Sequence, residues 1–453
     1  MRLLTKDRSF YRSLLLLAVP VALQNLITFS VNFADNLMIG ALGDAAISGV
    51  FMGNQMQTFL QLVTGGIEGA ILILSAQYWG KKDTASIRRI VAIGLRFALA
   101  AGAIMTAVCA IFPGPLIRLF STADSVIAAG ADYLRLVCFS YIFFCVTQSL
   151  IAAMRSIEVA KIGMKVSFIS LFVNVGLNYV LIFGKLGLPA LGVRGAAIAT
   201  VIARFVEMAI MIFYVSKIDK TLNMKLSDLT VTDPELRRDF IRNGLPIVGG
   251  SVVWSVNMMV SSAILGRFSE SVTSAVSIAN TMNSLAFVTM NGMSAAVGII
   301  TGKTVGAGKL ELMKEYARTV QILFLIMGLV TGSVVFALRY PFISMYAGVS
   351  QEASDYAAQL IAVLAVTMVG TCYQAAGLAG LVKAGGDVSF VFRMDTVFVF
   401  LVVLPSAMIA AWLGAAPWVV WACLKCDQIL KCFVAVVKIN SFNWMKNLTR
   451  DRN

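Results

Sequence analysis

The sequence predicts an all-α membrane protein of twelve transmembrane helices in two pseudo-symmetric six-helix lobes. Three observations lead there. First, the 453 residues are 59% hydrophobic and only 13% charged, with a mean hydropathy of +0.84, which soluble domains do not match. Second, twelve apolar segments recur, at roughly 13–36, 47–78, 90–112, 126–152, 164–184, 193–216, 243–265, 274–300, 316–338, 356–380, 393–413 and 416–438; about 20 residues at 1.5 Å each cross a bilayer. Third, the chain repeats at an offset of 226 residues, pairing Pro20 with Pro246, Gly80 with Gly306 and Pro115 with Pro341, and Arg155 with Lys383 after a slip of two. Six spans separate the copies, so both run in the same direction. That is the parallel repeat, with an axis along the membrane normal and a central path between halves. It supports a transporter, although a single-chain channel would share it. The expected divisions are a first lobe over 1–216, a cytoplasmic connector over 217–242 and a second lobe over 243–453.

Charge fixes the expected orientation. If the N-terminus is cytoplasmic, 28 of the 37 Lys and Arg fall on the inner side and 5 (Arg118, Lys185, Arg194, Arg267, Arg339) on the outer. This is the positive-inside bias, so a multi-pass protein with both termini cytoplasmic is expected. The net charge of +14 then reflects topology, and nucleic acid is not an expected partner. Arg2, Lys6, Arg8 and Arg12 before an apolar run imitate a signal peptide, but the run is too long and no small-residue cleavage site follows, so it reads as a retained helix.

The first segment carries the chemistry. From Ser13 through Ala34 there is no charge, and then comes Asp35. A carboxylate at that depth needs a partner, a cavity or a proton. Asn25, Thr28, Asn32 and Asp35 step by three and four, so they share a helical face, and Pro20 interrupts the same helix. In the second segment Asn54, Gln57, Gln61, Thr64 and Glu68 also share one face. Its repeat partner, the eighth segment, has Asn280 and Asn283 at the matching offsets, then Phe287 and Asn291. Polar stripes of this kind serve either as interhelical glue or as a cavity wall, and five aligned groups ending in a carboxylate favour the wall.

The halves differ where acids occur. Asp35 corresponds to Ser261, Asn32 to Met258, Thr28 to Trp254 and Glu68 to Ser294. Trp254, Met258 and Phe287 suit a loosely specified apolar ligand, because methionine and aromatic surfaces re-pack readily. In the fifth segment Ser167, Ser170, Asn174 and Asn178 share a face, and Thr200 lies one turn into the sixth. These oxygens with one carboxylate fit a hard monovalent cation, and fit equally a hydrogen-bonded cage for a protonated Asp35. Arg204 and Glu207, three apart, read as a structural ion pair. Asp395 reads as a helix anchor or a partner for a basic inner loop. Cys423 and Cys426 form a lone Cys-x-x-Cys in an apolar run and read as packing residues. No phosphate-binding loop is present, so ATP is not an expected partner. The absence of histidine removes the usual general base and proton relay, and no nucleophile–base pair or metal cluster suggests an enzyme.

The stretches "PVALQNLITFSVNFADNLMIGALG", "AQYWGKKD", "NVGLNYVLIFGKLGLPALGVRGAAIAT", "LVKAGGD" and "SFNWMKNLT" resemble the multidrug and toxic compound extrusion (MATE) family, over about residues 13–449. The resemblance implies two lobes opening alternately to each side of a prokaryotic plasma membrane. It implies export of small organic, mostly cationic, molecules against inward H+ or Na+, with no cofactor. A monomer among membrane lipids is expected. It also implies site residues: Asp35 as the first-helix carboxylate, Asn174 in the ion or proton site, Thr200 as a supporting hydroxyl and Tyr133 as a fourth-helix neighbour. Asn178 departs from the pattern, since many prokaryotic members have a second Asp there; a two-carboxylate Na+ site at Asp35 is weakened accordingly. Trp254 and Cys372 stand near positions that are acidic in other branches, so a second-lobe ion site is not expected. The expected substrate cavity comprises Asn32, Asn54, Gln57, Gln61 and Glu68, with Trp254, Met258, Asn280, Asn283 and Phe287. The alternative is a lipid-linked oligosaccharide flippase of a related two-lobe family, which would be expected to line its centre with Arg and Lys for pyrophosphate.

Overall fold

The computed structural model describes residues 4–230, 233–346 and 349–450. Among them all regular structure is helical. The long elements are α1 (Arg8–Gly40), α2 (Asp44–Gly80), α3 (Thr84–Ile111), α4 (Asp124–Val137 and Ser140–Ser156), α5 (Lys161–Phe183) and α6 (Val193–Phe213). After the connector come α7 (Pro234–Leu265), α8 (Glu270–Gly306), α9 (Leu310–Ala337), α10 (Gln351–Gln374, continued by Ala375–Lys383), α11 (Val388–Phe398, Val399–Val403 and Leu404–Trp412) and α12 (Pro417–Leu424 and Asp427–Ser441). Ten are long and apolar enough to cross a membrane, and α4, bent by 53°, makes an eleventh. The expected twelfth segment, 416–438, is two helices, Pro417–Leu424 and Asp427–Ser441. It breaks at Lys425–Cys426, where charges crowd, and neither piece alone is long enough to span.

Local chemistry sets the ends. Asp83 caps α3 by accepting from the Ser86 amide at 3.0 Å, and Ser350 caps α10 by accepting from Ala353, filling otherwise orphaned donors. Gly184 closes α5 at φ +66°, the left-handed conformation glycine adopts without penalty.

The described chain forms two compact units, one of residues 23–248 and one of 1–22 with 249–453. Each boundary falls two residues after a proline inside a helix, Pro20 in α1 and Pro246 in α7. Proline removes an intrahelical hydrogen bond and clashes with the preceding turn. Small residues explain what each unit gains. In the first, Gly66 of α2 has no room for a Cβ, which would lie 2.1 Å from Val248 Cγ2 of α7. In the second, the repeat-related Gly292 of α8 meets Ala18 and Ala22 of α1, with a Cβ position 2.8 Å from the Ala18 carbonyl oxygen. The two halves thus exchange the opening turns of their proline-containing helices. Gly102 of α3 packs on Ile142 of α4 and Gly328 of α9 on Val369 of α10, each within 3 Å of backbone. These too are 226 apart, and such close crossings are how helices associate where hydrophobic driving force is weak.

Within the second unit two of the distinctive sequence stretches come together. Trp444 is fully buried, over Gly385 of "LVKAGGD", and the next glycine, Gly386, packs on Lys446. A Cβ on Gly385 would lie 2.3 Å from its ring, and Lys446 N donates to Gly385 O. Asp387 then accepts from Lys438 and Lys446, each at 2.7 Å. Burial alone would raise the Asp387 carboxyl, but the two ammonium groups hold it below the ordinary aspartate value.

Candidate functional site

In the first unit α1, α2, α4, α5 and α6 surround a cavity of about 280 Å³. Its α1 wall is Thr28, Asn32, Asp35 and Asn36, and its α2 wall includes Asn54, Gln57 and Gln61. The three- and four-residue steps that align these groups put them on one face of each helix, and the cavity lies where those faces meet.

Asp35 is half-buried, and its carboxylate is held from α5. Asn178 Nδ2 donates to Asp35 Oδ1 and, at 3.2 Å, to Asn174 Oδ1. Asn174 and Asn178 are one turn apart, 2% and 0% exposed. The other amide atom, Asn178 Oδ1, is buried and has no hydrogen-bond partner among the described residues. A buried acceptor left unmade costs about 1–3 kcal/mol, so this oxygen is poised to accept. Tyr133 of α4 donates to Asn54 Oδ1 at 3.1 Å. Gly53 makes room for that ring: a Cβ there would lie 2.8 Å from Tyr133 Cδ1. Thr200 lines the same cavity from α6 and donates to Ala196 O.

Arg204 and Glu207 form the expected pair, with Arg204 Nη1 donating to Glu207 Oε2 at 2.8 Å. They also line the cavity, which the sequence reading did not include. The guanidinium lies 5.2 Å from the centroid of the Phe144 ring and is the cation whose field reaches Asp35. Three charges therefore meet here, two of them paired. The signal that would have found Arg204 was its place one turn from Thr200, on the same side of α6.

Other expected residues lie elsewhere. Glu68 is not among those lining this cavity. It stands seven residues beyond Gln61, about 10 Å along the helix, in the field of Arg155. Arg155 in turn donates to Gln24 Oε1 at 2.7 Å. Trp254, Met258, Asn280, Asn283 and Phe287 belong to the other compact unit. There Trp254 is 59% exposed, and Phe287 packs on a core that includes Met282, Met290 and Met368. Asp395 is tied between helices: Lys431 of α12 donates to it at 2.9 Å and bridges it to Asp427, also at 2.9 Å.

A repeated bundle of apolar helices with a polar, carboxylate-bearing cavity in one half defines a class, the polytopic membrane transporters of internal-repeat type. The MatE family model matches residues 20–180 and 246–409, together well over half of the chain, so this protein belongs to the MatE family. The two matches begin at Pro20 and Pro246, the repeat-related prolines. The chain is 26% identical over 403 residues to a probable multidrug resistance protein NorM of Halalkalibacterium halodurans, covering 88% of this chain and 86% of that one. It is 24% identical over 452 residues to a NorM of Thermotoga maritima, covering 97% and 95%. Among solved structures, the Vibrio cholerae MATE transporter VcmN in its bent form superposes with a TM-score of 0.87 at 16% identity, covering 96% of this chain and 97% of that one. An outward-facing multidrug resistance MATE family transporter gives 0.86 at 17%, covering 97% and 99%. At such identities the structural matches speak for the fold alone.

Proposed function

We propose that this protein exports small organic cations across a prokaryotic plasma membrane in exchange for protons, with Asp35 as the group that carries the exchanged charge. Family membership supports cation-coupled efflux, as do relatives named as multidrug resistance proteins. The observation that carries the site assignment is Asp35 held by Asn178, with Asn178 Oδ1 left without a donor.

The chemistry follows from that arrangement. An ionised Asp35 only accepts, so Asn178 turns its N–H toward it. A protonated Asp35 offers one O–H. Rotation of the Asn178 amide then lets its unpaired oxygen accept that proton's hydrogen bond, and Asn174 follows by exchanging donor for acceptor. The amide pair is thus a two-state element biased by one proton. Export requires that proton and substrate favour different states, not merely that both bind. The cavity volume sits near the lower end of small-molecule sites, about 300–1,000 Å³. It suits an ion-coupling site better than a whole drug site.

The test is ethidium efflux in membrane vesicles under an imposed proton gradient or an imposed sodium gradient. Efflux driven by the proton gradient alone supports the reading. Efflux driven by sodium alone replaces the ion, and no movement of a cationic dye under either gradient overturns the export reading.

A further inference from the structure

A second cavity, of about 530 Å³, opens between α3 and the first turns of α7, where the connector enters the helix. Four arginines line it: Arg96 from α3, and Arg237, Arg238 and Arg242 from α7. Its carboxylate is Asp233, whose Oδ2 accepts from Arg89 Nη1 at 3.3 Å. Arg237, Arg238 and Arg242 are exposed. Four guanidinium groups against one carboxylate leave the lining positive.

The walls are built rather than incidental. On the inner face of α7, Leu236 and Phe240 are 0% and 3% exposed, and Phe240 stacks on Phe97 of α3 at 5.7 Å and 5°. Burying that side turns Arg237, Arg238, Ile241 and Arg242 outward. Continuing along the same face one turn further into the apolar segment, Ile241 and Leu245 are 42% and 68% exposed, as is Leu99 of α3 at 40%. A ring of guanidinium groups thus stands at the head of an exposed apolar track.

We propose that this cavity binds the phosphate headgroup of an anionic phospholipid, with its acyl chains along Ile241, Leu245 and Leu99. Guanidinium forks match phosphate oxygens bidentately, and basic pockets between transmembrane helices take acidic lipid headgroups. A free phosphate would share the arginines but has no use for the track, which selects the lipid. The inference needs only the membrane-spanning fold and stands apart from the export reading.

The experiment uses the purified full chain, titrated with phosphatidylglycerol, with phosphatidylcholine and with inorganic phosphate, read by native mass spectrometry. The protein retains phosphatidylglycerol in preference to phosphatidylcholine, and millimolar phosphate does not displace it. An arginine near the surface strengthens such binding about fivefold, so Arg237→Gln with Arg238→Gln weakens it about 25-fold. Both positions are exposed, and an unchanged thermal midpoint in phosphatidylcholine micelles excludes misfolding. Ile241→Asn weakens lipid retention without touching the charge. Equal retention of both lipids, full displacement by phosphate, or a double variant that binds like the parent each overturns the proposal.

Discussion

Replacing Arg204 by methionine separates packing from coupling in the first-lobe cavity. The side chains of Arg204 and Glu207 are 17% and 7% exposed, and their bond is 2.8 Å long. Removing one partner strands the other charge where little water reaches it. Breaking a buried pair in this way destabilises by about 3–5 kcal/mol, whereas replacing both partners by apolar groups is often neutral or stabilising. Arg204→Met is therefore expected to lower the thermal midpoint of the detergent-purified protein by several degrees. The Arg204→Met/Glu207→Met double variant recovers it. Function is expected to part company with stability, because Arg204 is also the cation acting on Asp35. The recovered double variant still loses at least tenfold in gradient-driven ethidium efflux. A single variant as stable as the parent would refute the reasoning about burial. A double variant recovering both stability and full efflux would show that the pair is only structural.

Asn178→Leu removes a charge-assisted hydrogen bond, about 1.5–3 kcal/mol, together with the turning amide, and is expected to cut driven efflux at least tenfold while dye binding in detergent persists. Gly53→Val drives a methyl into the Tyr133 ring, and overpacking of this kind destabilises by about 1–3 kcal/mol; a lower thermal midpoint is the readout. Asp387→Asn loses two bonds of 2.7 Å to ammonium groups. Because the folded carboxyl lies below its ordinary value, its stabilisation is present above the unfolded pKa and lost as pH falls through the lowered folded one. The difference in thermal midpoint between parent and variant is therefore full near pH 7 and shrinks only in acid, below about pH 4.

Much of this was legible in the sequence, because helical spacing and repeats survive without a structure. Asn174 and Asn178 are one turn apart, so their shared face was evident. Asp35 was marked by its isolation in an uncharged run. The repeat-related glycines, Gly66 with Gly292 and Gly102 with Gly328, confirm the 226-residue offset down to helix crossings. What escaped depended on packing between distant segments. Glu68 follows Gln61 on the same face, yet a rise of about 10 Å puts it in the field of Arg155, a residue far away in sequence. Arg204 and Glu207 satisfy each other locally, which conceals that they also face Asp35. The break in α12 was hidden because Lys425, Asp427 and Lys431 are few among apolar neighbours, although Lys431 turns inward to bridge Asp395 and Asp427. The exchange of opening turns between α1 and α7 has no periodicity to betray it beyond two prolines.

The central claim is that one carboxylate, Asp35, links ion movement to export. The most direct measurement is the efflux of preloaded ethidium from vesicles containing the parent or Asp35→Asn, under an imposed proton gradient, with ethidium binding measured in parallel. Asparagine keeps the size and the hydrogen-bonding reach but cannot exchange a proton. Driven efflux is expected to vanish in the variant while ethidium binding remains within a few-fold of the parent. Full gradient-driven efflux by Asp35→Asn would contradict the account and move the coupling group elsewhere, with Glu68 beside Arg155 the next carboxylate to test.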